Sequence, residues 1–309
     1  MERVSAVSRQ GWVLFIAVGV IWGVPFLLIK VADGGVSVWV LVFTRVFIGS
    51  LLLLPAAMRR GHLRALRPRW RWVVALSVVE VIVPWLLLSA AERRLSSSLS
   101  GLLLAVVPII GVGVARLAGD RDRLTAIRWT GLAVGLGGVA LLMGPAAAGG
   151  GTAAVLEALG TAVCYAIGPV IAARKLAGAD DLSVTAASLG LASVVYAVPA
   201  ALTWPQAIPA VRVLGALLAL AVVCTALAFL LYLRLIAEAG PVRAEVVTYV
   251  NPAVAVALGV IVLGEPLTPL IVISFGLILA GSVLATRSSN RPAAASVQAE
   301  EAIPATRDD

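Results

Sequence analysis

The stretches AVVPIIGVGVARLAGDRDRLTAIRWTGLAVGLGGVA, from Ala105 to Ala140, and YVNPAVAVALGVIVLGEPLTPLIVISFGLILAGSVLA, from Tyr249 to Ala285, decide how this chain is built. Pro108 of the first falls on Pro252 of the second at a shift of 144 residues, and Gly119-Asp120 with Gly131 falls on Gly264-Glu265 with Gly276 at a shift of 145. The shift of 144 also carries Pro25 onto Pro169 and Lys30 onto Arg174, so the duplication spans both halves of the chain. Both stretches are apolar enough for lipid. In hydrocarbon only helices and closed barrels satisfy their own backbone groups, and duplicated helical halves are a common build for secondary transporters.

Composition agrees. A mean hydropathy of +1.04, with 61% hydrophobic and 13% charged residues in 309, leaves too little polar material for the surface of a water-soluble domain. About 20 apolar residues cross the roughly 30 Å of hydrocarbon in a bilayer. Ten such stretches are readable, at 12–31, 36–57, 72–90, 97–115, 125–143, 153–172, 183–203, 211–232, 242–263 and 267–285. The expected fold is an all-α membrane protein of ten transmembrane helices. Residues 12–143 and 153–285 form its two repeats, joined by a Gly/Ala-rich linker at 144–152. A short N-terminal segment, 1–11, precedes them, and a polar tail of disordered composition, 286–309, follows.

The net charge of +8 is sorted rather than spread. With the N-terminus placed inside, 19 of the 24 basic residues fall on inside segments, including Arg59, Arg60, Arg64, Arg67, Arg69 and Arg71 between the second and third stretches. Only Arg93, Arg94 and Arg212 fall outside, and Lys30 and Arg45 lie within spans. This is the charge pattern of membrane orientation, not of nucleic-acid binding, and it sets both termini in the cytoplasm. Five helices per half is an odd number, so the second half enters the membrane with opposite orientation and the repeat is inverted. The first apolar stretch is a full span without a cleavage pattern and is read as retained. Cys164 and Cys224 lie inside predicted helices and read as inert core thiols.

Ionisable groups deep in a bilayer mark a solute path, a proton site or a buried pair. Glu80 lies eight residues past Trp72, about 12 Å into its span, and Arg45 lies eight past Ser37 in the neighbouring span, entering from the other side. They are the candidates for proton coupling or an ion pair. A glutamate here could also accept the amine of a solute. In the second half, Glu245, Thr248, Tyr249 and Pro252 recur at helical spacing with Asn251 alongside, so one stripe offers a carboxylate, a hydroxyl, a phenol and a helix break. Trp22 and Phe26 in the first span and Trp85 in the third supply an apolar wall for a cavity, or simply pack as core. Gly131 with Gly135, and Gly276 with Ala280, are small-residue pairs that allow close helix contact or a homodimer face. Trp12, Trp70, Trp72, Trp129 and Trp204 sit near span ends, where indoles anchor at the interface.

Enzyme chemistry finds little purchase. The lone histidine, His62, is in the basic loop; no acidic or cysteine group has metal-ligand spacing; and the phosphate-cradling GxxxxGK[ST] run is absent. No metal or cofactor is expected, and energy must come from an ion gradient, a proton gradient in the simplest case, or from exchange.

The run GPVRAEVVTYVNPAVAVALGVIVLGEPLT at Gly240 to Thr268, with its Pro252 and Leu263-Gly264-Glu265, resembles the second repeat of EamA-type carriers in the drug/metabolite transporter superfamily. IWGVPFLLIK at Ile21 to Lys30, Arg45, and the segment Ser97 to Pro108 resemble the corresponding first-repeat signals. The resemblance implies an inverted-repeat carrier of the cytoplasmic membrane, with a central cavity, that moves small organic metabolites or drugs by alternating access, often outward. Import or exchange on the same fold is the alternative, and a lipid scramblase, a pore or a membrane-embedded lipid enzyme are more remote ones.

Overall fold

The computed structural model describes residues 8–119, 125–148, 151–240, 244 and 246–286, all of them helix, turn or connection. The helices are α1 (Arg9–Ala32), α2 (Val38–Arg60), α3 (His62–Glu92), α4 (Ser97–Leu117), α5 (Ala126–Ala148), α6 (Thr152–Lys175), α7 (Asp181–Leu202), α8 (Val211–Ala239), α9 (Val246–Leu263) and α10 (Pro269–Thr286). Among the described residues, nine of them are long and apolar enough to cross a membrane. The apolar stretch of α5 runs from Ala126 to Leu142. Glu245 lies outside the described residues.

Prolines set the internal breaks. Pro25, Pro84 and Pro108 each stand in the first two positions of a helical piece that continues α1, α3 or α4 after an interruption. Pro252 stands in the first turn of the α-helical part of α9, after the 3₁₀ turn Val246–Tyr249. A proline there lacks an N–H that has no helical partner anyway, so it starts a helix without the cost of kinking one. The interruption in α4 at Ala105-Val106 and the junction in α9 at Tyr249-Val250 are 144 residues apart. The π-helical stretches Val78–Ile82 in α3 and Ala219–Leu227 in α8 overlap when shifted by the same amount.

Helices of the first half pack mainly on helices of the second. α5 lies along α10, α2 along α7, α4 along α9, α3 along α6 and α1 along α8. This pairing maps onto itself when the first five helices exchange places with the last five. The α5–α10 seam is backbone on backbone: a Cβ on Gly281 would strike the Gly135 backbone, and one on Gly131 would meet the Ala285 nitrogen at 2.5 Å. The glycine of α10 in this seam is Gly281; at Gly276, the repeat counterpart of Gly131, an added Cβ meets nothing within 4 Å, so the counterpart pair does not make the same close contact. The Gly131–Gly135 face is spent inside the chain.

Contacts between connections fall into two groups. At one end Ser8 Oγ donates to Glu238 at 2.5 Å, His62 Nδ1 lies 3.6 Å from Asp180, Arg69 donates to the Ala177 carbonyl at 2.8 Å, and Arg174 donates to that of Ala118. At the other, Arg93 binds Asp33 at 3.1 Å, Arg94 binds Glu157 at 2.6 Å, and Ser37 meets Thr203 at 2.7 Å. Here too Glu265 caps α4: its carboxylate accepts from the Ser97 and Ser98 amides at 2.7 and 3.0 Å and from Ser98 Oγ at 2.5 Å. Gly264, left-handed at φ 68°, ends α9 and turns the chain to aim Glu265. Gly259 leaves the room, since a Cβ there would meet Ser97 Oγ at 2.7 Å.

Burial pushes the Glu265 carboxyl up, but the hydrogen bonds from Ser98 and Ser97 outweigh it and hold the group below its ordinary value. A depressed carboxylate stabilises the fold above its unfolded pKa of about 4.3, and that contribution is lost as pH falls through the lower folded value. Glu265→Ala should cost about 1–2 kcal/mol at neutral pH, read by thermal unfolding in detergent, with the gap to wild type closing on acidification. Gly281→Val should lose the α5–α10 seam and fall at least as far, by roughly 1–3 kcal/mol or more, at every pH.

Candidate functional site

Where α2, α3, α6 and α8 meet, polar side chains gather in the depth of the bundle. Arg45 of α2 is 7% exposed; its Nε donates to Thr225 Oγ1 at 3.0 Å and its guanidinium lies 3.7 Å from the centre of the Trp85 ring. A cation over an indole out of water gains about 2 kcal/mol, and the flat guanidinium is the side chain suited to it. Thr225 in turn donates to the Leu220 carbonyl five residues back at 2.8 Å, matching the π-helical register of that stretch. Cys224 and Tyr165 also lie within electrostatic reach of Arg45.

Glu80 sits in the other π-helical stretch. Pro84 cannot donate to the carbonyl four positions back, which is that of Glu80, and a slip to i→i+5 bonding absorbs the defect: Val83 N–H bonds to the Val78 carbonyl. The Glu80 side chain lies against α6 at Gly168, where a Cβ would occupy the place of the carboxylate. Tyr165, one turn earlier on α6, is within electrostatic reach of both Glu80 and Arg45 and faces the Trp85 indole. Two of the sequence candidates for charge, and one of those for the apolar wall, thus converge on a single tyrosine.

Carbonyls flanking the breaks also accept from the second half. Tyr196 of α7 donates to the Ile82 carbonyl, and Thr161 of α6 donates to that of Pro84 at 3.3 Å. Ser282 of α10 does the same for Ala105 in the α4 interruption at 3.0 Å. The Asn251 amide, oriented to suit its neighbours, donates to Gly19 O at 3.1 Å and Val247 O at 3.2 Å.

The remaining candidates are placed elsewhere. Trp22 packs on Phe229 and Tyr232 of α8 with ring centres at 5.9 and 4.7 Å. Phe26 is buried against Leu88 and Ala255. The 3₁₀ turn rotates the second-half stripe, so its members diverge: Tyr249 reaches Thr286 at 3.1 Å, Asn251 reaches α1, and Pro252 backs onto α4 beside Gly101. Thr248 lies in that turn, which packs against α1. Sequence reading missed Thr225, Tyr165 and Tyr196, which are ordinary residues in apolar runs. The proline at 84, four past a glutamate, was the available signal for the break. Two hollows open at the ends of the bundle: one of about 500 Å³ between His62, Arg69 and Asp180, and one of about 280 Å³ beside Val36 and Trp204. Neither includes the buried cluster.

The model of the EamA-like transporter family matches residues 9–144 and again 152–287, once in each half. The chain is 28% identical to the uncharacterized inner membrane transporter YedA of Escherichia coli K12 over 281 residues, 87% of this chain and 88% of that one. It is 25% identical to the uncharacterized transporter YvbV of Bacillus subtilis 168 over 289 residues, 91% and 93% of the two chains. One crystal structure superposes with a TM-score of 0.64 at 22% identity, covering 90% of this chain and 98% of the other, a likeness of fold alone. With both halves matched, and with helices, breaks and paired packing repeating at the same spacing, this protein belongs to the EamA-like transporter family.

Proposed function

We propose that the protein is a secondary carrier of the cytoplasmic membrane that exports small amphipathic organic solutes by alternating access between two five-helix halves. The observation that carries this reading is the cluster of Arg45, Trp85, Glu80, Tyr165 and Thr225, drawn from both halves, with Glu80 and Thr225 each on one of the two matched π-helical stretches. Discontinuous helices at corresponding places in two repeats point to a transporter's solute site. The relatives named inner membrane transporters favour the same membrane.

The way the ends are tied supports ten crossings in inverted repeats. The α4–α5 connection lies with the α6–α7 one through Arg174 and Ala118, and Arg128 at the start of α5 donates to Ala285 near the end of α10 at 3.0 Å. The far end of α5 leads to Glu157, bound by Arg94 at the opposite end. These contacts support an α5 that traverses the bundle and brings the second half in from the other side. Repeats at 12–143 and 153–285, with termini and most of the arginine at the cytoplasmic end, complete the assignment.

The site suits a zwitterion. Arg45 offers a forked donor to a carboxylate and Glu80 an acceptor to an amine, with Trp85 and Tyr165 as the apolar wall. The test is reconstitution into vesicles with labelled solutes chosen from compounds enriched outside overproducing cells. Saturable uptake with counterflow is expected, whereas non-saturating flux would mark a pore and overturn the carrier. Arg45→Lys keeps the charge but loses the fork and the stacking, and should raise the half-saturating concentration of a carboxylate solute tenfold or more, about 1.4 kcal/mol. Glu80→Gln should weaken amine-bearing solutes relative to neutral analogues.

A further inference from the structure

The molecule holds a second buried carboxyl that the solute site does not use. Glu92, the last residue of α3, is 0% exposed, and neither of its carboxylate oxygens closes a hydrogen bond. It stands where the ends of α1 and α3, the start of α4 and the α9–α10 turn converge. Lys30 and Asp33 face it from α1, Ser100 from α4, and Glu265 from the turn. The other charges there are already engaged: Asp33 by Arg93 at 3.1 Å, Glu157 of α6 by Arg94 at 2.6 Å, and Glu265 by the α4 amino end at 2.7 Å. The Ser100 hydroxyl, fully buried, faces Glu92 closely enough to favour its ionised form but closes no hydrogen bond of good geometry with it.

A carboxylate shut away from bulk solvent is sustained chiefly by a proton or by a facing cation. Both are within reach: a proton on Glu92 turns it into a donor, and Lys30 is the cation opposite. The arrangement is also one-sided. The positions 144 residues on hold Ile236 in place of Glu92 and Arg174 in place of Lys30, and Arg174 spends itself on a backbone carbonyl at the other end. Duplication has thus left a titratable pair at one end of the bundle with no carboxyl equivalent at the other.

We propose that Glu92 is a proton-binding site that latches this end of the carrier: protonated and buried when the seam between the α3–α4 connection and the α9–α10 turn is shut, ionised and hydrated beside Lys30 when it opens. The inference rests on the carrier reading, since only a seam that opens admits the proton. Its test reads the seam and not transport, so a protein with an intact pH response but no solute movement would count against the carrier alone.

Full-length protein in lipid nanodiscs, without solute, is followed by amide hydrogen exchange of 93–100 and 264–268 across pH, corrected for intrinsic exchange. Wild type should grow more protected as pH falls through one titration, and infrared difference spectra should gain a carboxylic C=O band over the same range. Glu92→Gln, a mimic of the protonated group, should be protected throughout and lack the band. Lys30→Met, which removes the cation favouring the ionised form, should move the midpoint up by about one pH unit or more. Loss of the Glu265 cap on acidification opens the seam and so runs the other way. Wild-type protection independent of pH, or a Glu92→Gln protein that titrates like wild type, would overturn the assignment, as would a transition that follows sodium against choline at fixed pH. Should Glu92→Gln not fold, the wild-type band and the Lys30→Met shift decide the matter, and absence of both sinks it.

Discussion

Hydrocarbon supplies no hydrogen-bond partner, so every carbonyl released by a break in a membrane helix has to be answered from within the protein. In this chain part of the answer comes from the other half: Ser282 donates to the Ala105 carbonyl in the α4 interruption, and Tyr196 and Thr161 donate to the Ile82 and Pro84 carbonyls that flank the break in α3. Docking of the second half thus supports the breaks of the first. The same docking brings Thr225 and Tyr165 to Arg45, Glu80 and Trp85, so stability at the break and composition of the site come from one contact surface.

Much of the fold was legible because bilayer physics is coarse. Length and hydropathy place the helices, and the prolines at 25, 108 and 252 mark where pieces begin, since their missing N–H is harmless only there. What the sequence concealed depends on register. The stripe from Thr248 to Pro252 presupposes an unbroken α-helix, and a single 3₁₀ turn sends Tyr249 and Asn251 to different neighbours. Thr225 and Tyr196 carry no signal of their own, because a hydroxyl in an apolar run acquires meaning only from the carbonyl or guanidinium it meets across the bundle. Glu92 sits beside Arg93 and Arg94 in an apparent surface loop, and only packing shows that it turns inward while they turn out.

The two halves share a frame and differ in chemistry. Pro84 has no proline partner in the nine-residue π-helical stretch of α8, which instead carries Thr225 and Cys224. The first half brings the ionisable groups Arg45, Glu80 and Glu92, while the second brings hydroxyls and aromatic rings. Duplication followed by such a division leaves a repeated scaffold with two chemically unequal halves.

The bare contact of α5 with α10 has a mechanical meaning. Side chains that interdigitate can slide past one another by changing rotamer, but two backbones meeting at Gly135 and Gly281 have nothing to rearrange. If the proposed carrier changes shape, such a pair would serve as a fulcrum, tilting about its line of contact more readily than shearing, and displacement would be greater where packing is by larger side chains, as between α2 and α7 around Leu189 and Tyr196.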